Sequence, residues 1–407
     1  MMNVSFASAL RAAIRVVALG MASVGVVSIA SGATTPAPQS QGNVIQDGKA
    51  GFVVSDFSYV LSRDASETGA CPNGMSQGYA NIGDVLLNRP DLQRRDDETD
   101  TDYSRRAGAD LFNSTQNLCM HPEAGGPDPK FRTVTGANIA VTGGIDLDGQ
   151  ASRANGKPAT GTCAHDDFRG MNGEAGIDNQ FFRVVGCSKG YQSAGQSHDL
   201  TTEMLTGSWG ILITLSGVDD LRNDNDVTVG FYANADSIEL TATRDPVPNA
   251  TYTTSSDPRF RATTRGRIAN GVLTSDPVDV RFHSVFNTVR TERPLRDARV
   301  RMTFTAGGGI EGYLAGYTPI EALYDVQFGF RNGTEVSGQP ASLQLRNTRS
   351  IGSVFTMGVH TCQGAYYALR ENADGHRDPA TGQCTSISTQ YRIRAVPAFV
   401  VDEKPEN

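Results

Sequence analysis

Three short segments between residues 144 and 182 hold the densest group of oxygen ligands in the chain: GIDLDGQ (144–150), CAHDDF (163–168) and GIDNQFF (176–182). Asp146, Asp148, Asp166, Asp167, Asp178 and Asn179 offer carboxylate and amide oxygens, the donors that Ca²⁺ takes six to eight at a time. The spacing Asp146-x-Asp148-Gly149 matches the opening of a calcium loop, without the third acid or the distal glutamate of a helix-loop-helix hand. Ca²⁺ is therefore the expected cofactor, with these residues as its candidate ligands. The same side chains could instead cap the turns in which they sit, and the sequence leaves both readings open. A second acidic segment, Asp219, Asp220, Asp224 and Asp226, lies between two apolar runs, where hairpin-turn chemistry accounts for it.

Other constellations carry less chemistry. The six histidines, His121, His165, His198, His283, His360 and His376, are dispersed. There is no HExxH, CxxC or CxxCH, so the signatures of a zinc hydrolase, a structural zinc and a covalent haem are absent. Cys119-Met120-His121 gathers three soft ligand types that suit copper, but a disulfide has the first claim on Cys119. Gly186-Cys187-Ser188-Lys189-Gly190 spells the GxSxG of a nucleophile elbow, with His165 or His198 as conceivable bases for Ser188; the polar stretch YQSAGQSHD stands where the elbow needs a helix. Gly307-x-Gly309-x-x-Gly312 spells a dinucleotide fingerprint but runs into YLAGY, so a glycine turn is expected. A glycosidase needs two acids across a cleft, and the strand-borne candidates, Glu239 and Glu311, are far apart in sequence. Trp209, the only tryptophan, is expected in the core rather than as a sugar platform. No set of residues is assigned a catalytic role.

These residues must be positioned by strands. Short β-rich runs recur from Thr133 onward: TVTGANIAVT (133–142), FFRVV (181–185), WGILITLSG (209–217), VTVGFYA (227–233), SIELTA (237–242), Val278–Phe286, Arg299–Thr305 and Ile310–Leu314. Many short strands without interleaved long helices predict a mainly β fold, an antiparallel β-sandwich of jelly-roll or concanavalin-like type with a few short helices and disulfide-supported loops. Helices are expected as a turn at Ile82–Leu87 and over Ile351–Arg370, the latter stopped by Asn372-Ala373-Asp374-Gly375. The domain organisation follows: a signal peptide (1–33), a flexible lead-in (34–50), an irregular mixed segment (51–132), the sandwich core (133–345), and a C-terminal helix and tail packed on it (346–407).

The signal peptide is read from Arg11 and Arg15, the apolar run Val16–Ala30, and the small residues Ser31-Gly32-Ala33 at a cleavage site. Its removal leaves 34 bases against 44 acids, a formal charge of −10, a surface that repels nucleic acid and anionic lipid. The expected protein is exported to the periplasm or beyond the cell, with no transmembrane segment in the mature chain. The six cysteines, Cys71, Cys119, Cys163, Cys187, Cys362 and Cys384, suit an oxidising compartment. Pairing in order (Cys71 with Cys119, Cys163 with Cys187, Cys362 with Cys384) would bracket three loop-rich segments, although fifteen connectivities are open.

The punctuation of Asp, Asn, Gly and Cys in GIDLDGQ, CAHDDF, GIDNQFFRVVGC, WGILITLSGVDDLRNDNDVTVGFY and GIEGYLAGY resembles a group of uncharacterised exported bacterial proteins over about residues 70–400. More distantly, the strand order resembles laminin-G and concanavalin-like sandwiches. That resemblance implies a rim loop that holds calcium, here on Asp146, Asp148, Asp166, Asp167, Asp178 and Asn179, beside a face that binds a glycan or a protein. The expectation is a non-enzymatic exported binding or structural protein. Its alternatives are a periplasmic or extracellular hydrolase acting on a glycan or ester, and an accessory subunit of an exported redox or transport assembly.

Overall fold

The computed structural model describes residues 45–61, 69–76, 93–106 except 104, 119–135 except 125, 141–149, 163–191 except 164, 197–286 except 208, 289–346 except 332–334 and 337–338, 349, and 362–402. The strands are β1 (Lys49–Tyr59), β2 (Ile211–Ser216), β3 (Asn223–Ala233), β4 (Ala250–Thr254), β5 (Arg261–Ala269), β6 (Val272–Ser275), β7 (Val278–Phe286), β8 (Val289–Phe304), β9 (Ile310–Pro319), β10 (Glu335–Val336), β11 (Gln339–Pro340), β12 (Gly375–Arg377) and β13 (Cys384–Asp402). Among the described helices are α1 (Gln180–Val185), α2 (Ser197–Leu205), α3 (Ile320–Tyr324) and α4 (Cys362–Glu371).

The mainly antiparallel β fold is as expected, and the pairing adds a closed circuit. Hydrogen bonding runs from β1 to β2, β3, β5, β6, β8, β9 and β13, and β13 returns to β1. Every pair in that circuit is antiparallel; β4 adds to β13 in parallel. A sandwich whose edges are bonded to one another has this connectivity, and closure leaves these strands no unpaired edge to protect. The circuit draws β1 and β13 from outside residues 133–345, so the two ends of the described chain lie side by side.

Strand β8 shows why the sequence folds this way. Val289, Thr291, Arg293 and Leu295 are buried at alternate positions, and Ala298, Val300 and Met302 resume the alternation after a register shift between Arg296 and Arg299. A period of two puts one set of side chains on the core face and the other in water. Phe52, Phe231, Ile268, Met302, Leu314 and Ile393 join one apolar core from six strands of the circuit. Trp209 is buried there edge-on to Phe57, 5.7 Å between ring centroids, in the expected core role.

Several expectations are corrected. FFRVV is the helix α1, not a strand: Asn179 caps it, its side-chain oxygen accepting from the N–H of Phe182 at 3.3 Å. Four of its apolar side chains, Phe181, Phe182, Val184 and Val185, are buried, so tertiary packing overrides their β propensity. SIELTA is a loop with a single bridge from Leu240 to Pro246. The C-terminal helix is described over Cys362–Glu371; residues 351–361, the turn at 82–87 and the middle of TVTGANIAVT lie outside the described residues.

The disulfides also differ from pairing in order: Cys71–Cys187, Cys119–Cys362 and Cys163–Cys384, with no free cysteine. Closing a loop costs only about 0.6 kcal/mol more for each doubling of its length, so proximity in sequence is a weak guide. For Cys119–Cys362 and Cys163–Cys384 the return of β13 to β1 accounts for the pairing, because it brings the C-terminal part of the chain against its first half, within which Cys71–Cys187 is closed. Three disulfides without a free thiol fit a chain that folds in an oxidising compartment. Among the described residues, no helix is long and apolar enough to cross a membrane.

Candidate metal centre

The three acidic segments converge against β13. Gln390, buried on that strand, accepts from the Ile145 N–H at 3.0 Å and donates to the carbonyls of Ile145 (2.9 Å) and Asp178 (2.6 Å). One amide thus fixes loop 144–149 to the segment that opens α1. Leu147 is buried with Ala315 and Tyr317 of β9, and its carbonyl accepts from Arg299 of β8. The tight course of the loop is visible at Gly144, where an added Cβ would stand 2.7 Å from the Gln390 side chain.

Asp178 sits at the centre. It is 4% exposed, and its Oδ2 accepts from the N–H groups of Leu147 (2.6 Å) and Asp148 (3.3 Å). Asp146 and Asp148 reach towards it from the same loop, and one oxygen from each of the three carboxylates lies within 4.8 Å of the others. Oxygens that ligate one Ca²⁺ at about 2.3–2.6 Å can be no more than about 5 Å apart, so the spacing fits a shared cation. Asp146 also accepts from the Gly149 N–H at 2.7 Å, a turn that Gly149 closes at φ +72°.

The electrostatics follow from burial. Desolvation pushes the Asp178 carboxyl far above the usual carboxylate range, reinforced by repulsion from Asp374, Asp167 and Asp148. Asp167 is also raised, first by desolvation and then by Asp148, Asp146 and Asp166, against a hydrogen bond shared with Asp178 that lowers it. Desolvation raises Asp146 and takes Asp374 up to about 7. Arg183 of α1 supplies some positive charge near Asp166, Asp167 and Asp374, while donating to the Asp166 carbonyl and lying over the Phe168 ring, 4.6 Å from its centroid. Burial, the largest influence on Tyr317, together with Asp178, Asp374 and Asp148, pushes its phenol up.

Of the expected ligands, Asp146, Asp148 and Asp178 come together, and Asp167 is their hydrogen-bonded neighbour. Asp166 contributes through its carbonyl, which accepts from Gln180 and Arg183. The Asn179 side chain is committed elsewhere, donating to the Val60 carbonyl and Thr142 Oγ1 and capping α1. Asp374 was missed. Read as part of a helix stop, it follows α4 and accepts from the Ser388 N–H at 2.6 Å, and the Ser388 hydroxyl in turn accepts from the Gln180 N–H at 2.8 Å. The disulfide Cys163–Cys384 ties the Asp166–Asp167 segment to the start of β13. Asp148-Gly149 and Asp374-Gly375 read alike as Asp-Gly turn signals in sequence, yet Gly149 closes a turn and Gly375 opens β12.

The remaining constellations contribute no second centre among the described residues. Cys119 is bonded to Cys362, which removes it from a soft-ligand set with His121. Ser188 is fully buried beside the bridged Cys187 and is followed by a single helical turn, Lys189–Tyr191, not by the long helix of an elbow. Gly307, Gly308 and Gly309 belong to the turn between β8 and β9, as expected.

No known protein family, no curated protein and no solved structure matches this chain.

Proposed function

We propose that this chain is an exported, non-catalytic binding protein, periplasmic or extracellular, whose acidic centre holds one Ca²⁺ and thereby fixes the loops around a ligand face. The observation that carries the reading is the buried Asp178, held with Asp146 and Asp148 at a spacing that one cation could bridge. Its carboxyl is driven towards protonation by burial and by neighbouring carboxylates, so a divalent ion would relieve a strain that protons otherwise relieve. Asp146, Asp148 and Asp178 would be the first ligands, with Asp167 and Asp374 within the same field. The resemblance to calcium-bearing sandwiches supports a glycan or protein as the ligand on the neighbouring face.

The hydrogen-bonded Asp167 and Asp178 favour a second reading, a hydrolase in which one carboxyl holds a proton for the other. Two features weigh against it. A directly bonded pair is closer than the roughly 5 Å or more that separates glycosidase carboxylates, and Asp178 already serves two backbone donors.

Thermal unfolding with EDTA and with Ca²⁺ tests the proposal. A native-state site filled to 100 times its Kd adds about 2.7 kcal/mol. A calcium-dependent rise in Tm that disappears in Asp178→Asn supports it, and a Tm indifferent to calcium and EDTA contradicts it.

A further inference from the structure

A cavity of about 530 Å³ adjoins the acidic loops, walled in part by Gly143, Gly144 and Ile177, neighbours in sequence of the Asp146–Asp148 loop and of Asp178. That volume suits a small ligand, within the roughly 300–1,000 Å³ of such sites. Its floor is set by strand register. Arg301 of β8 pairs with Tyr313 of β9, which pairs with Arg392 of β13; one step along, Thr303 pairs with Glu311, which pairs with Arg394. Paired residues share a face of the sheet, so three adjacent strands present three guanidinium groups, a carboxylate and a phenol ring to the same space. Glu174 reaches in from the loop, with Arg301 3.7 Å away.

These pairings leave donors over. Arg392 and Arg394 share one partner carboxylate, that of Asp56 on β1, at 3.4 and 3.2 Å. A guanidinium has five N–H donors in a fixed fork, so most of their donor edges are left for a ligand. The cavity lining thus sets three guanidinium groups against two carboxylates, Glu174 and Glu311, with Asp56 beside Arg392 and Arg394 as the third acid. We propose that this cavity binds a saccharide unit bearing a carboxylate, a hexuronate. The arginine forks take the carboxylate two bonds at a time, Glu174 and Glu311 accept from ring hydroxyls, and Tyr313 offers its ring to an apolar sugar face. The glycines at 143 and 144 bring bare backbone to the cavity; a Cβ at Gly143 would stand 2.4 Å from the Tyr313 hydroxyl.

The assignment rests on the binding-protein reading and names the ligand class for it. Calorimetric titration of the mature chain with digalacturonate, lactose and succinate, in Ca²⁺ and in EDTA, tests it, alongside Tm in both buffers. Digalacturonate should bind, lactose and succinate at least ten-fold more weakly, and Arg301→Gln should lose about ten-fold or more of the digalacturonate affinity while its Tm stays near the parent's. If Arg301→Gln fails to fold, Arg301→Lys keeps the charge but loses the fork and should weaken binding in the same direction. Equal binding of lactose, or of succinate alone, overturns the hexuronate assignment. No heat with digalacturonate from a protein whose Tm responds to calcium overturns it while leaving the calcium centre standing. Heat with digalacturonate from a protein indifferent to calcium does the reverse.

Discussion

The loop at 219–226 and the centre around Asp178 are both runs of aspartates between apolar segments, yet their carboxyls move in opposite directions. At the exposed hairpin, Asp224 accepts from the N–H groups of Asp219 (2.7 Å) and Asp226 (3.1 Å), and those bonds hold its carboxyl below the usual range. At the centre, Asp178 accepts from two backbone N–H groups as well, but desolvation and other carboxylates outweigh them and push it up. The difference is not composition. It is that β13, through Gln390 and Ser388, pulls three chain segments over the second set and leaves the first in water. Aspartates serve as turn caps where none of them is buried, and become a candidate cation centre where a buried one, Asp178, meets the half-buried Asp146 and the exposed Asp148.

The comparison breaks most severely if the segments are released from β13. Replacing Cys163 and Cys384 together by Ser should cost about 2–5 kcal/mol of stability by denaturant unfolding and should weaken any calcium response. A calcium response unchanged in that variant would mean that the Asp167 segment is not part of the centre.

Single replacements come next. Asp178→Ala leaves the Leu147 and Asp148 N–H groups without their acceptor and should cost about 1–3 kcal/mol without metal. Asp224→Ala, at the exposed hairpin, should leave Tm close to the parent's. Asp178→Asn keeps an acceptor oxygen and removes the charge, so it should be no less stable than the parent in EDTA at pH 8 while losing the gain from Ca²⁺. A marked loss of stability for Asp178→Asn in EDTA would contradict the electrostatic picture.

The smallest expected effect is a pH slope. An acid whose folded pKa is raised keeps its proton in the folded state after the unfolded chain has released it. Its stabilising contribution is present below its ordinary value near 4 and is lost as pH rises through the folded value. With Asp374 at about 7, and Asp167 and Asp178 also raised, the metal-free protein should lose Tm between pH 4 and pH 8 on their account. Asp374→Asn should flatten that slope. Asp224 has the opposite sign, with its contribution present above its ordinary value and lost as pH falls. Saturating Ca²⁺ should cancel the slope of the centre and leave that of the hairpin.

How much of this was legible follows the same division. Period-two alternation in Val278–Phe286 and the apolar runs at 209–217 and 227–233 announce their strands, because each buries one face or both locally. Asp146, Asp148 and Asp178 stand out by type and spacing. Asp374 does not, since Asn372-Ala373-Asp374-Gly375 is fully explained as the end of α4, and only the closed circuit carries that turn back to residues 166–178. Asn179, a candidate ligand by type, is a helix cap, a favoured role of Asn before a helix, and the strand expected over 181–185 conceals that helix. The cavity between β8, β9 and β13 is a product of cross-strand register, with its arginines at positions 301, 392 and 394, which no local pattern joins.

The central claim is that the burial of Asp178 turns the aspartates around it, and not those of the 219–226 hairpin, into a calcium centre. Direct calorimetric titration of Ca²⁺ into EDTA-treated protein tests it most closely, performed at pH 7.5 and pH 5.5 on the parent, Asp178→Asn and Asp224→Asn. The account predicts one Ca²⁺ per parent chain, bound more weakly at pH 5.5 because protons compete for the same carboxylates, abolished in Asp178→Asn and retained in Asp224→Asn. No binding by the parent, or binding that survives Asp178→Asn and disappears in Asp224→Asn, would contradict it.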